Sequence, residues 1–330
     1  LVLSAGFMAS HPAILRIALV LLGGGFALFI AAAGLSLIRA ASDNPAARVM
    51  RLALSGLILA VALGLSLGAF LSSKSAWASG HAWANLHLAW GLIGWVGLLV
   101  MGVSYQVVPM FQLTPAYPAW MTRHLAPFIF AALLVWSATA ALAPQNPFLA
   151  IVANVLSVLI GLGLVAYAAI TLRLQWKRHR RLPDVTTRFW QLAMASLLVS
   201  VALGLAAWIG VENNPRLELL LGAWMIVGFA SSAIHGMLYK IVPFLVWLHL
   251  HEQDIRQTLP NMKEILPDAR TAPHLWIHAA TLALLTIAIV HSGFWIYPAS
   301  ASLALSYAWL GWNLLSAART YWRIVRTAVR

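Results

Sequence analysis

The chain has no cysteine. That removes disulfides, thiolate-ligated metals, covalently attached c-type haem and iron–sulfur clusters from consideration. Charge is nearly as scarce: Asp, Glu, Lys and Arg make up 9% of the 330 residues, against about a quarter in a soluble domain. Only eight residues are acidic, namely Asp43, Asp184, Glu212, Glu218, Glu252, Asp254, Glu264 and Asp268. All of them fall in loops or at the ends of apolar runs. A proton-driven pump or transporter usually carries a carboxylate inside the membrane, so their placement argues against that class. Long polar interruptions are missing too, which leaves no stretch for a soluble domain. Leu1 opens directly on apolar sequence without a basic leader, so no cleavable signal peptide is visible.

What fills the chain is apolar: 62% of its residues are hydrophobic. The composition is that of a multi-pass membrane protein, and lipid-embedded backbone of this kind has to be helical. Nine runs are long enough to cross a bilayer, roughly 14–38, 49–72, 86–110, 125–142, 148–172, 189–210, 218–247, 273–296 and 299–320. The expected fold is therefore an all-α transmembrane bundle of about nine spans in a single domain, 1–330. The basic residues orient it. With the loops after odd-numbered spans and the C-terminus in the cytoplasm, only Arg16, Lys74 and Arg216 of the 21 Lys and Arg fall on the far side. The net charge of +13 is then a topology signal, with anionic headgroups of the membrane lipid as the partner and no role in nucleic-acid binding.

One phrase is written twice, "SYQVVPMF" at 104–111 and "LYKIVPFL" at 238–245. Aligning 87–111 with 221–245 pairs Ala89/Ala223, Trp90/Trp224, Gly94/Gly228, Gly102/Gly236, Tyr105/Tyr239, Val108/Val242 and Pro109/Pro243. Shared Trp, Tyr and Pro are harder to obtain by chance than shared Leu or Val, so this reads as internal duplication. The implied unit is four helices: repeats at about 84–210 and 218–330, with 1–72 the remnant of an earlier one. "SAGFMAS" at 4–10 resembles "IVGFASS" at 226–232 and then breaks off. A longer natural N-terminus or a segment missing after Ser10 each accounts for that. The matched Tyr and Pro suit an interfacial anchor and a helix terminus, and Lys240 suits snorkelling to headgroups. "GGG" at 23–25 suits either an unwound helix or tight packing. "LPNMKEILPD" at 259–268 reads as an amphipathic segment on the membrane surface.

Histidine is the informative residue, because ionisable groups within spans are functional candidates by default. His87, His235, His278 and His291 fall within spans. His87 shares a helix face with Gly94 and Met101; His235 takes Met101's place in the second copy. For both, ligand and buried hydrogen-bonded imidazole stand as competing accounts. In the repeat the two differ by fourteen positions, about 21 Å of helix rise, so one ion between them is excluded. His87 and His291 match in depth near the far side, and with His81 they form one candidate metal site. His274 and His278 are four apart on one face and suit a metal or a haem propionate, with an interfacial histidine as the plainer account. "HLHEQD" at 249–254 reads as a solvated loop.

"HLAWGLIGWVGLLVMGVSYQVVPMF" (87–111) and "IHGMLYKIVPFLVWLHL" (234–250) resemble the bacterial inner-membrane proteins related to subunit I of haem–copper oxidases, a group that includes NnrS-type haem proteins. That resemblance implies twelve helices in three four-helix repeats, of which the two motif helices match the sixth and tenth. It further implies His87 as a metal ligand and His235 as an axial ligand of b-type haem, with His278 in the cofactor's surroundings. The chain departs from the oxidases in two ways. "HLAPFIFAALLVWSATAALA" (124–143) lacks the histidine pair of the helix after the sixth, and the tenth-helix match shows one histidine instead of two. A three-imidazole copper centre for oxygen reduction is therefore not expected. The resemblance points to a membrane haem protein, with copper as the other cofactor, that handles electrons or nitric oxide and meets a membrane or periplasmic redox partner. The rival reading is a metal-free transport or scaffold protein on the same fold.

Overall fold

The computed structural model describes residues 2–9, 11–40, 44–73, 80–179, 184–209, 215–253 and 259–328, which form helices joined by short connections and contain no strand. In chain order the helices are α1 (Val2–Ala9), α2 (Pro12–Arg39) and α3 (Pro45–Ser73). Next comes α4, which runs Gly80–Ala89, widens into π-type turns at Trp90–Gly97 and ends as Leu98–Gln112. Helix α5 opens with π-type turns at Met121–Leu125 and continues as Ala126–Leu142; α6 is Pro147–Trp176 and α7 is Val185–Trp208. Helix α8 repeats the form of α4: Pro215–Ala223, π-type turns at Trp224–Ser231, then Ser232–His251. A single turn, α9 (Met262–Ile265), precedes α10 (Asp268–Val290) and α11 (Ile296–Ala328).

Eight of the described helices are long and apolar enough to cross a membrane. The ninth expected run, 299–320, lies inside α11, a 33-residue helix that is more polar than the rest. The reason is local. Ser302, Ser306 and Asn313 on α11 hydrogen-bond to Thr281, to His274 and His278, and to Tyr239, which dilutes the apolar character of the helix.

The chain forms two compact units: Leu1–Met110 with Pro115–Tyr167, and Phe111–Thr114 with Ala168–Arg330. In the first, α3 packs against α2, α4 and α5. In the second, α8 packs against α7, α10 and α11, and α10 against α11.

Several local expectations are revised. Pro109 and Pro243 sit inside α4 and α8, not at their ends. Lys240 does not reach for headgroups but pairs with Asp184 at 3.0 Å, both side chains largely covered. Asp184 also caps α7, accepting from the backbone N–H of Thr186 at 3.0 Å, so one carboxylate serves a helix end and a cation. The glycines at 23–25 lie in unbroken helix, with open space around Gly24 and Gly25, so they are neither unwound nor closely packed. The segment 259–268 is reduced to the single turn α9, closed by a capping box between Asn261 and Glu264.

The aligned positions make matching contacts in their separate units. Gly94 lies against Gly56 and Leu133; Gly228 lies against Ser196 and Leu282. Gly102 packs on Val49, and Gly236 on Phe189. Gly64 faces His87, and Gly204 faces Leu221. The hydroxyl of Tyr105 donates to the carbonyl of Met121; Tyr239 is held by Asn313, which also donates to the carbonyl of Arg270.

Candidate metal centre

The second unit encloses three imidazoles. His235 enters from α8, just after its π-type turns, and His274 and His278 enter from successive turns of α10. All three are buried, at 1%, 0% and 0% exposure. One nitrogen from each ring lies within 4.8 Å of the other two. Among the described residues no other group of three His, Cys, Asp or Glu side chains comes this close. Phe189 from α7 and Tyr307 from α11 wall the cluster, each with its ring edge-on to His235.

The i, i+4 spacing of α10 places His274 and His278 one above the other on a single face. The wide turns of α8 add acceptors. Ser231 donates to the carbonyl of Ile226 at 2.8 Å, and His278 Nε2 lies 3.2 Å from the carbonyl of Val227 and 3.0 Å from Ser232 Oγ. Such π-type segments are frequent at functional sites because they turn backbone groups toward side chains. On the other side, Ser306 Oγ lies 3.1 Å from both His274 Nε2 and His278 Nδ1. His274 Nδ1 is 2.6 Å from the hydroxyl of Tyr239, which in turn accepts from Asn313 at 2.9 Å. His235 Nδ1 has no partner at all. A buried polar atom without a partner costs about 1–3 kcal/mol.

The first unit supplies a control for this architecture. There Met101 holds the position aligned with His235. Taking Leu133 as the match of Leu282, since each touches the aligned glycine, the matches of His278 and His274 one and two turns earlier are Ile129 and Leu125. Gly163 lies against Ile129 and Leu125, where Ser306 bonds to His278 and His274. Met101, Leu125 and Ile129 are buried too, at 0%, 6% and 0% exposure. The packing of four helices is thus satisfied by an apolar set, and the polar set in the second unit is not a requirement of the packing.

The site residues expected from sequence are distributed as follows. His235 and His278 are brought together, with His274 as the third member. His87 stays within its own unit, Nδ1 2.9 Å from the carbonyl of Ala60 and its ring over Gly64. His291 caps the C-terminus of α10 and is exposed, its N–H donating to the carbonyl of Ile287 at 2.7 Å. The side chain of His81 lies outside the described residues. The helix after α4 supplies no imidazole to the cluster; its three rings come from α8 and α10. Of the two accounts open for His274, the interfacial one is excluded by its full burial, and its partners on α11 are not visible in a linear reading.

A haem held between two of these rings does not fit. Imidazole nitrogens stand about 2 Å from an ion, so two axial rings have centres about 6 Å apart with the porphyrin spread between them. His235 and His278 are 4.7 Å apart centre to centre and His235 and His274 are 5.0 Å apart, while His274 and His278, 6.0 Å apart, rise from successive turns of one helix with the Ser306 hydroxyl bonded to both. A single ion does fit. Three nitrogens around an ion at about 2.0–2.1 Å lie about 3.5 Å from one another, which the nitrogens, all within 4.8 Å, reach by closing inward with nothing to be inserted between the rings. Compared with known proteins, the chain matches no family model, no curated protein and no solved structure.

Proposed function

We propose that this integral membrane helical protein binds a single copper ion on His235, His274 and His278. Imidazole suits copper and zinc among the common ions. The charge of the site favours the monovalent state of copper. No carboxylate belongs to the cluster, and the cost of burying an ion in an apolar interior rises with the square of its charge. Copper(I) on three neutral imidazoles carries one charge, whereas zinc or copper(II) carries two. The observation that carries the reading is the apolar counterpart, Met101, Leu125 and Ile129, in the first unit. It removes packing as the reason for the imidazoles. The matching contacts of the two units also support descent from one duplicated four-helix element. A buried one-electron ion of this kind is suited to electron transfer or to binding a small ligand such as nitric oxide, in keeping with the resemblance to oxidase subunit I relatives.

The metal-free alternative has its own observation: both nitrogens of His274 and both of His278 already have hydrogen-bond partners. The two readings separate on copper content. Protein purified in detergent from copper-supplemented cells is expected to hold one copper per chain. It should take up copper(I) anaerobically in competition with a colorimetric chelator, and His235→Ala should lose that uptake. Wild-type protein free of copper, and unable to draw it from the chelator, would leave the metal-free reading. A haem absorbance in the purified protein would overturn the copper assignment in favour of haem at another position.

A further inference from the structure

The hydrogen bonds around the triad form one chain whose direction is set at both ends. At one end the carbonyl of Val227 can only accept, so His278 carries its ring hydrogen on Nε2, 3.2 Å away, and shares it with Ser232 Oγ at 3.0 Å. Its Nδ1 is then an acceptor and takes the hydroxyl hydrogen of Ser306 at 3.1 Å. At the other end the amide nitrogen of Asn313 can only donate, and it gives to Tyr239 Oη at 2.9 Å and to the carbonyl of Arg270 at 3.3 Å. The hydroxyl hydrogen of Tyr239 therefore goes to His274 Nδ1, and His274 carries its ring hydrogen on Nε2, pointing at Ser306. Ser306 accepts from one ring and donates to the other. Every donor in the chain meets an acceptor, and both rings are neutral.

We infer that Tyr239 and Ser306 lock His274 and His278 as the Nε2–H tautomers, and that the Ser306 hydroxyl competes with the ion for Nδ1 of His278. The second half of this inference rests on the copper reading; the first does not. Each ring in the lock has its lone pair occupied by a hydroxyl. An ion can take a nitrogen from both rings only by displacing hydroxyl bonds, that of Tyr239 at His274 and that of Ser306 at His278. His235 stands outside the chain with its Nδ1 unpartnered, so it is the ring ready to meet an ion first. The first unit has no such lock, since Gly163 stands where Ser306 does. Ser306 is in this sense a positioning residue that sets how tightly the site holds its ion.

The lock is read in metal-free protein carrying 15N-labelled histidine, with ring signals assigned by single histidine variants. Two buried rings are expected as pure Nε2–H tautomers, and Ser306→Ala should mix the tautomers of His278 while Ser306→Thr restores them. Copper(I) competition is then expected to show Ser306→Ala binding about tenfold tighter than wild type, the worth of one to two hydrogen bonds no longer broken. Ser306→Thr should bind as wild type, which excludes a general loss of packing. His235→Ala should lose copper and leave both tautomers unchanged. Mixed tautomers in the wild type would overturn the lock, and equal or weaker copper binding by Ser306→Ala would overturn the competition. Wild-type protein that takes no copper(I) would remove the copper reading and the competition with it, while the ring spectra still decide the lock.

Discussion

The hydroxyl of Tyr239 donates to Nδ1 of His274 across 2.6 Å and joins α8 to α10 inside the second unit. The aligned Tyr105 in the first unit makes a longer bond, 3.2 Å to the carbonyl of Met121. The two tyrosines hold equivalent places, but only one serves an imidazole. Tyr239→Phe leaves both His274 Nδ1 and Asn313 Nδ2 short of a partner and should destabilise by about 1–3 kcal/mol. Tyr105→Phe should cost about 1 kcal/mol or less, because its bond is longer and its loss leaves one acceptor short of a partner instead of two groups. Thermal unfolding of the two variants in one detergent compares them directly; a larger loss for Tyr105→Phe would contradict the site as described.

The apolar counterpart in the first unit supplies a replacement set for the second. His235→Met, His274→Leu, His278→Ile and Ser306→Gly, combined, should give a folded, membrane-inserted protein without copper. The same residue types already fill the same packing positions at Met101, Leu125, Ile129 and Gly163. Gel filtration and a melting curve test the folding, and metal content tests the loss. A variant that fails to fold would show that the imidazoles hold the second unit together.

Close approach of backbones is the sharpest packing constraint in the first unit. A Cβ added at Gly56 would run into the carbonyl of Gly94, and backbone cannot swing aside as a side chain can. Gly56→Ala should destabilise by about 1–3 kcal/mol or more through overpacking. Gly24 has nothing within 4 Å of where its Cβ would be, so Gly24→Ala should be neutral or stabilise by about 0.5–1 kcal/mol by stiffening helix. Paired melting curves distinguish the two, and equal effects would refute the close contact.

Asp184 joins two functions that substitution can separate. Asp184→Asn keeps a side-chain oxygen for the Thr186 N–H and removes the charge facing Lys240. It should cost about 0.5 kcal/mol, the worth of a partly exposed pair after screening. Asp184→Ala loses the cap as well, for about 1 kcal/mol more. A double-mutant cycle with Lys240→Met isolates the pair, and zero coupling there would show that the cap alone matters.

Much of the fold was legible because its causes are local or compositional. Apolar runs longer than a bilayer have to be helices, and eight of the nine expected runs meet that description. The recurrence of Trp90 and Trp224 marked two helices that both widen into π-type turns from those residues. Of the site, His235 and His278 were visible as imidazoles inside apolar runs. Their meeting was not, since α8 and α10 are joined through a connection whose length says nothing about lateral contact. Lys240 was misread for the same reason: its partner Asp184 is far away in sequence and adjacent only in the folded unit.

By itself the sequence determined a cysteine-free, multi-pass helical protein with one phrase written twice and histidines inside apolar runs, because hydropathy, charge and spacing act along the chain. Only tertiary structure decided which imidazoles converge, that Ser306 stands between two of them, and that the matching place in the first unit is apolar. Those facts depend on how helices rotate and cross, and helices set that by packing side chains against partners distant in sequence.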